Sequence, residues 1–198
     1  MNQRVKDYLV LFVVAGSIIA IDQWTKWLVR ENIEYGAQWL PQGMEWLSPY
    51  ARIVHWYNSG AAFGMFQNGN MVFTVLAFLV IGAILYYYPQ VEAVDWTLKI
   101  AMCLQLAGAS GNLIDRLMMG KVTDFISVGT FPVLNIADAS ISIGVVVLLL
   151  GVWMKDRLEK KIAAESPAVS EELPVDSDQL PPTGTTPTAN EQPKVKSE

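Results

Sequence analysis

The sequence predicts an all-α membrane protein: four transmembrane helices with a small β-rich element outside the membrane. Three observations predict it. Apolar residues, 52% of the chain, gather in four blocks and do not spread evenly. Each block approaches the ~20 residues that cross a hydrocarbon core of ~30 Å. The run Ala51-Arg52-Ile53-Val54-His55-Trp56-Tyr57, rich in β-branched and aromatic residues, favours strand and lies between the first two blocks. Helices are the natural spanning form because lipid cannot satisfy backbone polar groups.

The first block covers about 8–28, from Tyr8 to Leu28. Arg4 and Lys6 before it imitate the start of a signal peptide. However, the run is long, no small-residue cleavage site follows, and it ends in Asp22-Gln23-Trp24-Thr25-Lys26, so it reads as a retained helix. The second block, 71–88, carries no charge and ends at Pro89. The third, about 96–117, is apolar in its first half and polar in its second. The fourth, about 135–154, has Asp138 as its single charge. Arg4 and Lys6 before the first helix, and Lys155, Arg157, Lys160 and Lys161 after the fourth, put both ends on the cytoplasmic side. The connector 89–95 lacks Lys and Arg and adds nothing, and Lys26, Arg30 and Arg52 on the outer side oppose the assignment mildly.

Two stretches then face outward, 29–70 and 118–133. Trp24, Trp27, Trp39, Trp46 and Trp56 suit the interfacial belt of a membrane protein. Residues 1–162 form the membrane body. Residues 163–198 are Pro, Ser, Thr and acidic residues, too polar to offset their ordering entropy, and read as a disordered cytoplasmic tail. The net charge of −5 belongs to that tail, because residues 1–162 balance to zero. It therefore says nothing of what the body binds.

Several chemistries are excluded. One cysteine, Cys103, allows no intrachain disulfide, and its apolar neighbours make it a buried inert thiol. One histidine, His55, far from Cys103 in sequence, makes a zinc site improbable. The basic residues form no stripe, so nucleic-acid binding has no support.

Carboxylates near lipid usually mark function. Asp138 lies in the first turns of the fourth segment, with Asn135 and Ser142 at i−3 and i+4 from it. Asp124 lies in the stretch just before, as an ordinary loop acid. Two carboxylates converging at a membrane surface suit proton-sharing chemistry, but spacing alone equally allows Asp138 to be a helix N-terminal acid stabilised by the dipole. Asp22 and Lys26 share a helix face, and the plain reading is a helix-end ion pair with Lys26 snorkelling outward. Gly108, Asn112 and Asp115 form one stripe of the third helix, with Arg116 adjoining. They either tie helices together or contact substrate. Asn58-Ser59-Gly60-Ala61-Ala62-Phe63-Gly64 suits close approach of a peptide backbone, or is a plain turn into the second helix. Carboxylates on three segments also fit a small transporter or proton-coupled protein.

Taken together, Asp22-Gln23-Trp24-Thr25-Lys26, Asn58 to Phe63, Gly111 to Arg116, Val122-Thr123-Asp124-Phe125 and Asn135 to Asp138 run in an order that resembles the lipoprotein signal peptidases, or type II signal peptidases. The resemblance covers about residues 5–160. It implies a bacterial inner-membrane aspartic endopeptidase that cuts prolipoproteins before a diacylglyceryl cysteine, near the outer leaflet, with no cofactor or metal. It implies a small extracytoplasmic β-rich cradle and a short interfacial helix in the outer loop. Asp124 and Asp138 would be the catalytic dyad. Asn112, Arg116 and Asn135 would bind or orient substrate and dyad, and Asp22, Lys26, Asn58, Gly60, Gly108 and Asp115 would shape the site. Leu134 stands where the family often has Phe. The expected partners are the prolipoprotein and membrane lipids, with the chain itself a monomer.

Overall fold

A computed structural model describes residues 2–60, 69–92 and 94–165. The expectations for Ala61 to Gly64 and for the tail beyond Glu165 lie outside the described residues. Four α-helices are present: α1 (Gln3–Asn32), α2 (Asn70–Tyr87), α3 (Trp96–Met119) and α4 (Ile136–Glu165). Helices α1 and α4 run well past the apolar blocks, because a helix ends at its caps and not where its hydropathy falls. Asn2 caps α1 by accepting from the Arg4 N–H, and Gly120, at φ 72°, ends α3 in the left-handed conformation that favours glycine. A 3₁₀ turn, Tyr88–Gln90, carries Pro89 just beyond α2.

The packing inverts that of a water-soluble protein. Large apolar side chains face outward on α1 (Val13, Ile21), α2 (Val72, Leu79) and α4 (Val146, Leu149), while Asp22, Lys26, Asn112, Asp115, Asp124 and Asn135 are buried. Outward apolar faces of this extent need an apolar solvent. Two helical stretches, Asn70–Gln90 and Ile136–Ile162, are long and apolar enough to cross a membrane. Helix α3 is central and packs against the other three. Its contact with α4 is close because Gly108 faces the Ala137 carbonyl and Ile141, leaving no room for a Cβ. Small residues at such crossings let backbones approach where lipid supplies no hydrophobic drive. The apolar core, with Leu11, Ile84, Tyr88, Cys103 and Leu106, fills one half of the bundle. Cys103 is buried, as its neighbours predicted.

The segments between α1 and α2 and between α3 and α4 form a three-stranded antiparallel sheet, β1 (Gln38–Trp39), β2 (Ala51–Asn58) and β3 (Val122–Val128), in that order. Strand β2 matches the β-favouring run in the sequence. Strand β3, whose apolar residues gain nothing until they pair with a distant edge, corrects the reading of Asp124 as a loop acid: Asp124 lies on β3 opposite Trp56. The register shifts between Ile53 and Trp56, which re-aims the end of β2 that carries Asn58. His55 is buried in this sheet with Nδ1 2.7 Å from the Ile33 carbonyl, a structural contact that ties the end of α1 to β2. Trp24, Trp27, Trp39, Trp46 and Trp56 are all exposed at this end of the molecule.

Candidate active site

The polar residues assemble where α1, α3, α4 and β3 meet, below the sheet. They form two connected layers. The inner layer is built on α1. Lys26, 0% exposed, places Nζ 2.9 Å from Asp22 Oδ2, 3.3 Å from Asp115 Oδ2 and 3.1 Å from Asn112 Oδ1. It is therefore buried and paired, and the snorkelling expected of it does not occur. Two carboxylates and one amide oxygen hold it more favourably than the helix end would. Asp22 Oδ1 accepts from the Ala137 N–H at 2.9 Å, satisfying an otherwise orphan donor at the start of α4. A Cβ on Gly111 would stand 2.7 Å from Asp22 Oδ2, so only glycine admits that carboxylate. Asp115 Oδ2 accepts from the Thr123 N–H at 2.9 Å and so fixes β3 on α3.

The outer layer holds the two aspartates. Asn135 is the N-cap of α4, with Asp138 three residues on. The Asp138 N–H donates to Asn135 Oδ1 at 2.9 Å, and the Asn135 N–H donates to Asp138 Oδ2 at 3.3 Å. This is a reciprocal capping box with Asn and Asp in place of the usual Ser/Thr and Glu. Asn135 Nδ2 donates to Asp124 Oδ1 at 2.7 Å, and Asn112 Nδ2 donates to Asp138 Oδ1 at 2.7 Å. Asn58 Nδ2 donates to Asp124 Oδ2 at 3.1 Å. Each carboxylate oxygen thus accepts one donor, and each donor is locked. Asn58 Oδ1 accepts from the Gly60 N–H, Asn135 Oδ1 from the Asp138 N–H, and Asn112 Oδ1 from Lys26 and Asn135. Three amides that cannot flip define where both carboxylates point.

Both aspartates open on a cavity of about 770 Å³. Phe73, Leu76, Ala77 and Val80 of α2 form its apolar wall. Arg116 lines it too, with its guanidinium 5.3 Å from the Phe73 ring centre and no hydrogen-bond partner among the described residues. Burial, reinforced by the charge of Asp138, pushes the Asp124 carboxyl up to about 7, over the opposing effect of Asn58, Asn135 and Lys26. Two facing carboxylates in a partly apolar cavity can hold one proton between them, which suits acid–base hydrolysis. Among the described residues no group of His, Cys, Asp and Glu is arranged to hold a metal ion.

The structure therefore brings together Asp22, Lys26, Asn58, Gly60, Gly108, Asn112, Asp115, Arg116, Asp124, Asn135 and Asp138. Sequence reasoning missed three participants, Gln23, Arg30 and Thr123. Gln23 Nε2 bonds Asp22, Asp115 and the Gly111 carbonyl at 3.1, 3.2 and 3.0 Å. Arg30 reaches Asp115 at 3.9 Å and Thr123 Oγ1 at 3.1 Å. Asp22, Lys26 and Arg30 recur every four residues on α1, a polar stripe that marks one face.

Comparison with known proteins accords with this geometry. The family model described as Signal peptidase (SPase) II matches residues 14–154. A lipoprotein signal peptidase of Shouchella clausii is 40% identical over 76% of this chain and 97% of its own length. One of Halalkalibacterium halodurans is 34% identical over 77% and 97%. A bacterial membrane enzyme solved by the in meso method at 2.3 Å resolution is 28% identical with a TM-score of 0.68, over 76% of this chain and 91% of that one. The matched span runs through all four helices and both aspartates, and the chain belongs to the signal peptidase II family, the aspartic-type proteases of bacterial membranes that remove signal peptides from lipoproteins.

Proposed function

We propose that Asp124 and Asp138 are the catalytic dyad, and that the bond cut lies just before a diacylglyceryl cysteine of a prolipoprotein. The observation that carries this is the pair of carboxylates opening on one cavity, each aimed by locked amides, with an apolar wall opposite. The ionised partner takes a proton from water, and the water oxygen attacks the scissile carbonyl carbon. The protonated partner donates to the leaving amine as the C–N bond breaks. The products are a signal peptide ending in a carboxylate and a free cysteine amine. Arg116, unbonded at the cavity wall, contacts the substrate backbone. Asn112, Asn135, Asn58 and Gly60 position the dyad and the chain being cut. Asp22, Lys26, Asp115 and Gly108 support them from below.

The body, residues 1–162, spans the bacterial cytoplasmic membrane four times as a monomer in contact with lipid. Both termini are cytoplasmic and the site lies near the outer leaflet. The exposed tryptophans at the sheet end support that depth. The site's carboxylates collect at that one end, and the family assignment leaves the transporter reading without support. A purified enzyme incubated with a diacylglyceryl prolipoprotein is expected to release its signal peptide, read as a mass loss, and an unchanged mass would refute the assignment.

The pH profile follows from the dyad. The active form holds one proton, so kcat/KM falls as pH rises through about 7, where Asp124 ionises and the pair carries two charges. The same group, raised from 3.8, stabilises the fold fully below that value and loses the contribution as pH rises through about 7. A profile flat from pH 6 to 9 would contradict the shared proton. Truncation before Glu165 is expected to leave cleavage intact, measured on the same substrate, because among the described residues the cavity lining reaches no further along the chain than Ser142.

A further inference from the structure

The cavity extends past the dyad along α3 and α4, and two polar side chains, a half-buried Gln105 and an exposed Ser142, line that part. Gln105 on α3 and Ser142 on α4 both line it. Gln105 is seven residues before Asn112, about 10 Å further along α3. Ser142 is one turn after Asp138, about 6 Å along α4. The two helices run antiparallel, so both residues lie on the same side of the dyad. Gln105 packs there against α4, its Cγ 3.4 Å from where a Cβ on Gly144 would stand.

Neither side chain has a hydrogen-bond partner among the described residues. The contrast with neighbours is informative. Ser17 and Ser140 return their hydroxyls to the i−4 carbonyl at 2.7 and 2.8 Å, the ordinary arrangement for a helical serine, and Ser142 does not. Gln23 spends its amide on three acceptors, and Gln105 spends its own on none. A carboxamide left open between apolar helices is costly unless a ligand completes it.

We infer that Gln105, with Ser142 above it, is a positioning residue that donates to backbone carbonyls of the signal peptide a few residues before the scissile bond. This rests on the proposed dyad and cut site. The physical need is specific. A signal peptide enters as a helix, and a helical peptide bond must be extended before water can reach it. Unwinding the end of a helix strips the partners from the carbonyls of its last turn. Water is scarce at that depth, so those carbonyls need protein donors. An extended chain advances about 3.3 Å per residue, so about 10 Å corresponds to three residues. The Gln105 amide therefore meets the carbonyl of the third residue before the cysteine, and Ser142 the next one outward. Backbone contacts of this kind tolerate varied side chains.

The test uses the full-length enzyme and two synthetic diacylglyceryl peptides. One has all amide bonds. The other has an ester in place of the peptide bond that follows the third residue before the cysteine, which weakens that carbonyl as an acceptor. Gln105→Met keeps the length and the packing against Gly144 while removing the amide. It is expected to lower kcat/KM about three- to ten-fold on the all-amide peptide, the effect of one neutral hydrogen bond, and far less on the ester. Ser142→Ala should show a smaller loss. An unchanged kcat/KM for Gln105→Met, or the same loss on both peptides, would overturn the inference, the latter marking a packing role only. Asp124→Asn run alongside separates the two levels. If it still cleaves, the dyad reading fails and takes this inference with it. If it is dead while Gln105→Met is unaffected, the inference alone fails.

Discussion

Asp124→Asn and Asp138→Asn are each expected to abolish cleavage of a diacylglyceryl prolipoprotein while leaving a folded protein. General acid–base groups contribute about 10²–10⁴-fold each. Because the two carboxylates act as one proton-sharing unit, losing either removes the whole effect, so a drop of about 10⁴-fold in kcat is expected. The fold should survive for a reason visible in the hydrogen bonds. Asp124 accepts from Asn135 on one oxygen and Asn58 on the other. An asparagine there keeps one acceptor and turns an amide against the second donor. Neither donor can flip, since Asn58 Oδ1 holds the Gly60 N–H and Asn135 Oδ1 holds the Asp138 N–H. One hydrogen bond is lost, about 1–2 kcal/mol, with no charge left unpaired. Asp138→Asn loses one donor in the same way, either Asn112 Nδ2 or the Asn135 N–H. Peptide mass after incubation reads the activity and thermal unfolding in detergent reads the fold. Either variant cleaving at the parent rate would sink the dyad.

Lys26→Met has the second large effect, and it falls first on stability. The substitution keeps the length of the stem and removes the ammonium between Asp22 and Asp115. Two fully buried carboxylates then face each other, with Gln23 between them and Arg30 no closer than 3.9 Å to Asp115. Stranding buried charge costs roughly 3–5 kcal/mol. Activity should fall as well, through orientation. Lys26 donates to Asn112 Oδ1, and that bond is part of what turns Asn112 Nδ2 toward Asp138. Adding Asp22→Asn to Lys26→Met removes one of the stranded charges and should restore part of the melting temperature without restoring full activity. A Lys26→Met protein as stable as the parent would show that the buried ion cluster contributes nothing to the fold.

Much of the site was legible in the sequence because its residues are of types that apolar surroundings penalise. Asp22, Lys26, Asn112, Asp115, Arg116, Asn135 and Asp138 stand out against apolar blocks, and helical spacing puts them on particular faces. Asp124 was harder. Its neighbours Val122, Phe125, Ile126 and Val128 do favour strand, but an isolated strand of this length gains nothing until it finds an edge to pair with. That edge is β2, about seventy residues earlier, and the pairing carries a register shift that no local pattern encodes. Gln23, Arg30 and Thr123 escaped notice for a related reason, since each matters only through a partner on another element.

By itself, then, the sequence determined the apolar segments, the polar set at their ends, the strand Ala51 to Tyr57 and, through ordered motifs, the family. Those properties live in composition and short-range spacing, which the chain carries before it folds. The tertiary structure decided the rest. It buried Lys26 where an isolated helix would have let it snorkel into water, because Asp22, Asp115 and Asn112 together offer it more than solvent does. It raised Asp124 to about 7 by burial beside Asp138. It also left Gln105 and Ser142 on the cavity lining without a hydrogen-bond partner among the described residues. Burial and charge proximity are properties of neighbours, and neighbours exist only once the helices and the sheet have packed.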